Sequence, residues 1–550
     1  MSSENVVTPA DLDGYVTAGV LESHDLHGVR ELLDMAGCTA PGLAWVAMAL
    51  VLRSARDGHT CVDLGKIDLW SGDIDHRDPA SPPWPTDPEV WMQALASVPR
   101  LVRAPSDAVN EPRAPFVIDG WLLYSHRVFG QENDVAALLK GDRGIHVQVV
   151  MGGPGSGKTT WVARRLMERL ASGERPIVAL AAPTGKAARR MVQVLETTLV
   201  NNNAPVELLQ AVRNSESLTV HKLLEYNPGR DKRAGRDRRR PLERDLVIID
   251  EASMMSLDSM SMLLDAMAPG STLWLVGDPD QLASVDAGTV LADVAAGKSM
   301  KDSIISLTGQ HRFKDSPQIG ALVEAVRTAD EDAVMRVLRD GGNGLTWIDP
   351  VASPGALQQL RNDVIAHARV SCEIAASGDF DAAVRNNLAL QVLCGVRRGP
   401  AGVSAWNVLV EDGLADLVTG RWYLGRPVLV TENDGSTKLS NGDVGVVCAG
   451  PDGQRLVAFG EPGTVRMFAP TRLPATETVH ALTIHKSQGS EYDHAVVVLP
   501  QTGSRILTRE LLYTGISRPK TQLTLVASED AIREAIITPV RRATGLAARL

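Results

Sequence analysis

Cysteine is scarce in this chain: Cys38, Cys61, Cys372, Cys394 and Cys448 are five in 550 residues, far apart and with no CxxC pair. That spacing excludes a disulfide framework, a structural zinc site and an iron–sulfur cluster, and leaves small buried hydrophobes as the expectation. Long apolar runs are missing too. Nothing approaches the roughly 20 apolar residues of a membrane helix, and the first thirty residues carry Glu4, Asp11 and Asp13 instead of a leader's apolar stretch. A cytoplasmic enzyme is the expectation. Aromatic residues are 4% of the chain, and six tyrosines leave little room for a domain built on a catalytic tyrosine. No NKxD-like base-reading tetrad, no cluster of spaced acids and lysine suited to cutting nucleic acid, and no histidine in a nucleophile arrangement can be found.

What is present describes a folded protein. Hydrophobic residues make up 44% and charged residues 22%, which rules out broad disorder, and the length predicts two or three domains. The net charge of −10 governs solubility and long-range steering but does not forbid a local basic track.

The pattern predicts an α/β protein in four stretches. Residues 1–128 alternate helix-like runs with Pro/Trp-rich connections and hold five of the ten tryptophans by position 121, suited to core packing or to docking a partner subunit. Residues 129–340 carry the apolar strands VQVVM, IVALAA, LVIID and LWLVG, each feeding a turn or helix. Residues 341–417 and 479–550 form a second α/β unit with QVLCG, HAVVVLP and LTLVA. Between its halves, residues 418–478 read as short strands split by Gly, Asp and Pro turns, the pattern of a small inserted β-barrel. One segment stands apart: residues 229–244 hold eight arginines or lysines against three acids, either a solvated loop or a DNA-facing one.

The chemistry begins at GGPGSGKTTWVARR, residues 152–165. Gly152, Gly153, Pro154, Gly155, Ser156, Gly157, Lys158, Thr159 and Thr160 make a phosphate-binding loop between a strand and a helix. Its glycines let backbone N–H groups converge on phosphate oxygens, Lys158 reaches the β and γ phosphates of ATP, and Thr159 offers its hydroxyl to Mg²⁺. LVIIDEAS, residues 246–253, ends a buried strand in two carboxylates: Asp250 to hold Mg²⁺ and Glu251 to orient the attacking water. LVGDPDQLASVDAG, residues 275–288, offers Gln281 as a sensor of the γ-phosphate. Thr184, Lys186 and Arg189 open a helix after a strand end, where a backbone phosphate can be received. Thr483, His485, Lys486 and Ser487 offer a second such grip. Arg312 and Arg518 lie outside the loop and reach a nucleotide only when the second unit closes on it.

These segments, in this order, closely resemble the superfamily 1 helicases and, within them, the RecD branch. APTGKAARR, TGQHRF, LTIHKSQGSEYDHAVVVLP and LLYTGISRPK are similar to four further motifs of that superfamily. VLCGVRRGPAGVSAWN and GRPVLVTENDGSTKLSNGDVG are similar to the branch that moves 5′ to 3′. The resemblance implies two RecA-like motor domains, an inserted SH3-like β-barrel between motifs IV and V, and an N-terminal, mostly helical domain for partner docking. It implies an ATP-dependent DNA helicase with Lys158, Asp250, Glu251, Gln281, Arg312 and Arg518 as its catalytic set. Single-stranded DNA and double-strand ends are the implied substrates, and RecB-like and RecC-like subunits, the former carrying the nuclease, the implied partners. Members usually carry a glutamine upstream of the phosphate loop that reads adenine, and Gln131 is the one candidate here. A stand-alone helicase of the RecD-like type usually has helix-hairpin-helix motifs in a longer N-terminal region, and none is found in residues 1–128. A subunit that binds ATP and DNA only for assembly is the other alternative, though it would need no finger arginines.

Overall fold

In the computed structural model the described residues are 12–71, 81–105, 114–214, 217–226, 234–309, 312–342 and 344–550. The described residues before position 129 include helices Ser23–Ala36, Gly42–Ser54 and Pro88–Ala96, together with a small sheet. The sheet comprises β1 (Val62–Asp63), β2 (Val102–Arg103), β3 (Phe116–Asp119) and β4 (Leu122–Ser125), in the order β1-β4-β3-β2. The expectation of a mostly helical region missed this sheet, because two of its strands are only two residues long and show no alternation. Trp70, Trp84 and Trp91 are buried in its core, whereas Trp121 is 41% exposed.

The first α/β unit is a six-stranded parallel sheet. Its strands are β5 (His146–Gly152), β6 (Val178–Ala182), β7 (Leu218–Thr219), β8 (Leu246–Ile249), β9 (Thr272–Gly277) and β10 (Ile304–Leu307). They lie in the order β10-β5-β9-β8-β6-β7, every neighbouring pair parallel. Successive side chains face opposite sides of a strand, and here both sides are covered. Val149, Val247, Ile249, Leu273 and Leu275 enter one core, while Val150, Leu246, Ile248, Trp274 and Val276 enter the other. That double burial is why these strands read as unbroken apolar runs.

The second unit repeats the design with five parallel strands. β11 (Leu345–Ile348) and β12 (Leu390–Cys394) precede an insertion. The insertion contains β13 (Pro427–Val430), β14 (Val444–Ala449), β15 (Arg455–Phe459), β16 (Arg466–Phe468) and β17 (Thr476–Thr478). The chain then returns as β18 (Ala481–Thr483), β19 (Tyr492–Val498) and β20 (Pro519–Val526). The parallel order is β11-β20-β19-β12-β18, again with cores on both faces, Ala495 and Val497 on one and Val496 and Val498 on the other.

The insertion, expected as a small β-barrel, shows no closed barrel among the described residues. It is an antiparallel sheet of order β16-β15-β14-β13-β17, and among the described residues its two edge strands do not pair. After β16 a turn at Pro470–Arg472 carries the chain from one edge to the opposite one, where β17 adds beside β13. Each edge strand has three residues, too few for a closing ladder.

The basic segment 229–244 lies outside the described residues up to position 233. The part from 234 onward is tied down: Arg236 and Arg240 pair with Glu225 at 2.8 and 2.7 Å, and Arg238 pairs with Asp265 at 2.7 Å. All five cysteines are free, and only Cys38 is not buried. No described helix is long and apolar enough to cross a membrane.

Beyond the second unit the C-terminal residues fold back across the molecule. Arg542 donates to the Ser284 and Gly288 carbonyls, Ala543 N–H donates to His59 Nδ1, and Thr544 and Gly545 donate to the buried Glu132 carboxylate. Burial holds the His59 imidazole down at about 4, so Nδ1 stays an acceptor.

Candidate functional site

At the end of β5 the chain turns through Gly152–Gly157 into the helix Lys158–Ala171. Gly155 (φ 72°) and Gly157 (φ 88°) hold left-handed backbone that other residues rarely adopt. Gly157 caps the helix without a side-chain hydrogen bond, so the first helical N–H groups face the loop. Lys158 Nζ folds back onto the loop, donating to the Gly152 and Gly153 carbonyls at 2.5 and 3.0 Å. Ser156 Oγ is buried with no hydrogen-bond partner. The helix N-terminal N–H groups, a cationic amine and an orphaned hydroxyl suit phosphate oxygens.

Two strands along, β8 delivers Asp250, whose Oδ1 accepts from Glu251 N–H at 2.9 Å. Burial first, then the neighbouring Glu251, pushes the Asp250 carboxyl up to about 6. A buried carboxylate beside a second one gains from a divalent cation. Glu251 itself takes left-handed backbone (φ 51°), which turns the chain sharply after the strand.

Strand β9, between β5 and β8, is followed by a turn that carries Asp278 and Gln281, both buried. Gln281 Nε2 donates to Asp278 Oδ2 at 3.0 Å, and burial raises the Asp278 carboxyl. The second unit meets this turn through its helix Arg509–Ile516 and the residues after it. Tyr513 Oη donates to Asp278 Oδ2 at 3.1 Å, Leu282 N–H donates to Thr514 Oγ1 at 2.9 Å, and Gln488 Nε2 donates to the Leu282 carbonyl at 2.9 Å. Arg518 closes the network, its Nη2 donating to Gln281 Oε1 at 2.9 Å. Gln281 and Arg518, more than two hundred residues apart, are thus one buried pair.

Arg312 follows β10, the strand paired with β5 so that Leu307 lies opposite Gly152. The chain therefore delivers Arg312 to the loop from within the first unit. A methyl group on Gly155 would stand 2.5 Å from Arg312 Cβ and 2.6 Å from its backbone nitrogen. Its guanidinium points to the second unit, donating to the Ser517 carbonyl at 3.1 Å and pairing with Glu491. Only Arg518 comes from the second unit itself.

Gln131 sits on the helix His126–Leu139, which packs on Leu257–Ala266. Its Nε2 donates to Asp258 at 2.6 Å and its Oε1 is buried without a partner.

A cleft of 1110 Å³ opens between the helix Gly185–Asn201 of the first unit, residues 384–388 and 489–493 of the second, and residues 435–466 of the insertion. Eight lysines and arginines line it, among them Lys186, Arg189 and Arg385, against four carboxylates, so it favours anions. Phe459 is the only aromatic among the described lining residues. Thr184 caps the helix, accepting from Ala187 N–H at 3.2 Å. Burial lowers the Lys186 amine to about 8, with Asp443 opposing the shift. Arg189 pairs with Asp443 and donates to Ser440 Oγ at 3.2 Å.

The second expected grip is placed differently. None of Thr483, His485, Lys486 and Ser487 lines the cleft. Ser487 is fully buried and its hydroxyl donates to the Ile484 carbonyl at 2.7 Å; Thr483 Oγ1 accepts from Lys486 N–H at 3.2 Å; Lys486 Nζ pairs with Glu477. His485 is lowered by burial and by Arg542. These residues shape the turn after β18, and the same loop reaches the cleft only at Gly489–Glu491. Arg190, Glu491 and Tyr513 lie inside APTGKAARR, LTIHKSQGSEYDHAVVVLP and LLYTGISRPK but carry no local pattern that marks a site. The adjacent pair Arg189–Arg190 was the available signal.

Similarity to known proteins follows the same division of the chain. Residues 17–124 match the family model of the RecBCD enzyme subunit RecD, N-terminal domain; residues 129–344 match an AAA domain; residues 478–526 match the UvrD-like helicase C-terminal domain. The chain is 40% identical to the RecBCD enzyme subunit RecD of Mycolicibacterium smegmatis, over 97% of this chain and 98% of that one. It is 39% identical to the subunit of the same name from Mycobacterium tuberculosis, over 97% and 95%. The ATP-dependent RecD2 DNA helicase of Deinococcus radiodurans is 29% identical over 75% of this chain and 51% of that one. Among solved structures, Bacteroides Pif1 bound to ssDNA overlaps 73% of this chain and 93% of that one at 17% identity, with a TM-score of 0.39.

Proposed function

The chain belongs to the RecD family of RecBCD enzyme subunits, and from that premise we propose that it is an ATP-driven motor moving 5′ to 3′ along single-stranded DNA. In this reading it acts at double-strand ends in the cytoplasm, within a helicase–nuclease assembly with RecB-like and RecC-like subunits. Any nuclease activity belongs to the assembly and not to this chain.

The observation that carries the reading is the buried pair Gln281–Arg518, because it ties a side chain beside the phosphate loop to the second unit. Residues 152–160 cradle the triphosphate, with Lys158 leaving its own loop carbonyls for the β and γ phosphates. Thr159 and Asp250 would hold Mg²⁺, which neutralises the phosphate charge when bound. Glu251 orients the attacking water, Gln281 reads the γ-phosphate, and Arg312 and Arg518 stabilise charge developing on it. Gln131 Oε1, an acceptor without a partner, suits the adenine amino group.

The cleft suits a single strand held by its phosphates, because cationic side chains predominate and, among the described residues, aromatic stacking surface is nearly absent. Thr184, Lys186 and Arg189 receive it from the first unit, and Thr483, His485, Lys486 and Ser487 support it from the second by shaping the loop that reaches the cleft. Hydrolysis that breaks and remakes the contact between units would move one grip relative to the other.

A stand-alone RecD-like helicase is the second reading. The match of residues 17–124 to the N-terminal domain of the RecBCD subunit favours the assembly. Strand separation by the purified chain on duplexes with a 5′ tail, a 3′ tail or no tail, with ATP and Mg²⁺ and beside Lys158→Gln, tests the proposal. Unwinding of the 5′-tailed duplex alone, lost in the variant, is expected; unwinding of the 3′-tailed duplex would overturn the polarity.

A further inference from the structure

Glu491 connects the cleft to the nucleotide loop through Arg312. It lines the cleft, and it pairs with Arg190, on the same helix as Lys186 and Arg189, and with Arg312, whose backbone abuts Gly155. Both guanidiniums meet the same oxygen, Oε1. Arg190 also lines the cleft and donates to the Gly489 carbonyl at 3.2 Å. Burial alone would raise the Glu491 carboxyl, but Arg312 and Arg190 outweigh it and hold it down at about 2. The side chain is 13% exposed, so water screens these pairs little.

We propose that Glu491 is a positioning residue that couples the nucleotide loop to the strand cleft by dividing its charge between Arg312 and Arg190. The inference rests on reading the loop as the ATP site and the cleft as the DNA site. One carboxylate oxygen shared by two cations binds each less strongly than it would bind either alone. A γ-phosphate that takes Arg312 therefore leaves Glu491 to Arg190 alone, tightening that pair and withdrawing Arg190 from the strand's phosphates. A strand phosphate that takes Arg190 leaves Glu491 to Arg312 in the same way. The coupling is reciprocal and antagonistic, and it loosens one DNA contact in the triphosphate state.

The test is a binding square on the full chain: the affinity for labelled oligo-dT, with and without a non-hydrolysable ATP analogue and Mg²⁺, in the parent, Glu491→Gln, Glu491→Asp and Arg190→Gln. Circular dichroism and thermal melting establish that each variant is folded. The factor by which the analogue weakens oligo-dT binding is expected to fall about fivefold or more in Glu491→Gln and in Arg190→Gln, the lower end of ordinary coupling between sites. Glu491→Asp, which keeps the charge, should retain most of it. A parent-like factor in Glu491→Gln, or equal losses in the Gln and Asp variants, would overturn the coupling while leaving the motor reading intact. A parent chain that binds neither probe would instead remove the motor reading, and this inference with it.

Discussion

Gln281 and Arg518 offer the sharpest test of how the two units communicate. Their hydrogen bond is 2.9 Å long and both side chains are nearly inaccessible, at 6% and 3%. A buried hydrogen bond to a charged group contributes roughly 1.5–3 kcal/mol. Arg518 keeps two other acceptors, the Thr514 carbonyl at 2.9 Å and Ser517 Oγ at 3.1 Å, so replacing Gln281 does not strand it altogether. The bond exists only while the units touch, so its loss should fall on the state that carries out hydrolysis. Gln281→Met should lower kcat of the DNA-stimulated ATPase roughly 10- to 150-fold, by the usual conversion of about 1.4 kcal/mol per tenfold, with KM for ATP little changed. Arg518→Met should cost at least as much, and the double variant little more than Arg518→Met alone. The assay is steady-state phosphate release with saturating oligonucleotide in all four chains. Effects that add within about 0.5 kcal/mol would mean that the pair is not a functional unit. A rise in KM at constant kcat would make Gln281 a ground-state nucleotide contact instead.

Other perturbations follow from the same geometry. Gly155→Ala puts a methyl group 2.5 Å from Arg312 Cβ on left-handed backbone; binding of a fluorescent ATP analogue should weaken at least about tenfold, the effect of roughly 1.4 kcal/mol of strain. Arg385→Ala should reduce the slope of log affinity for oligo-dT against log salt by about 0.7, the share of one phosphate contact on a single strand, in a fluorescence titration. Because the Glu491 carboxyl is held at about 2 against an ordinary 4.5, the stability it contributes is complete above about pH 4.5 and lost as pH falls toward 2. Urea unfolding across that window should show Glu491→Gln lacking up to about 3 kcal/mol of the parent's pH dependence. Arg549 bonds Asp119 and Asn133 at 2.8 and 2.9 Å and stacks on Tyr124 and Phe129. Arg549→Ala should cost about 2 kcal/mol in the same assay, since packing and charge are lost together.

Much of the scaffold was legible in the chain, and the reason is local. The strands buried on both faces announce themselves as apolar runs, and the phosphate loop needs its glycines in sequence between a strand and a helix. The acidic pair Asp250–Glu251 stands at the end of such a strand for the same reason. Short elements were not legible: β7, β10 and the two-residue strands of the N-terminal sheet owe their existence to the neighbour they pair with. β10 is the consequential one, because it carries Arg312 to the phosphate loop from the first unit.

By itself the sequence determined which residue types were available to bind phosphate and where the parallel strands run. Only the tertiary structure decided that the insertion is an open sheet, that Ser487 is an internal turn residue, that Gln281 meets Arg518, and that Glu491 is shared between Arg190 and Arg312. The division has a physical cause. Backbone conformation and apolar periodicity are set by residues a few positions apart, whereas a charge finds its partner through space. Residues 190, 312 and 491 come together only because three separate chain segments return to the boundary between two sheets.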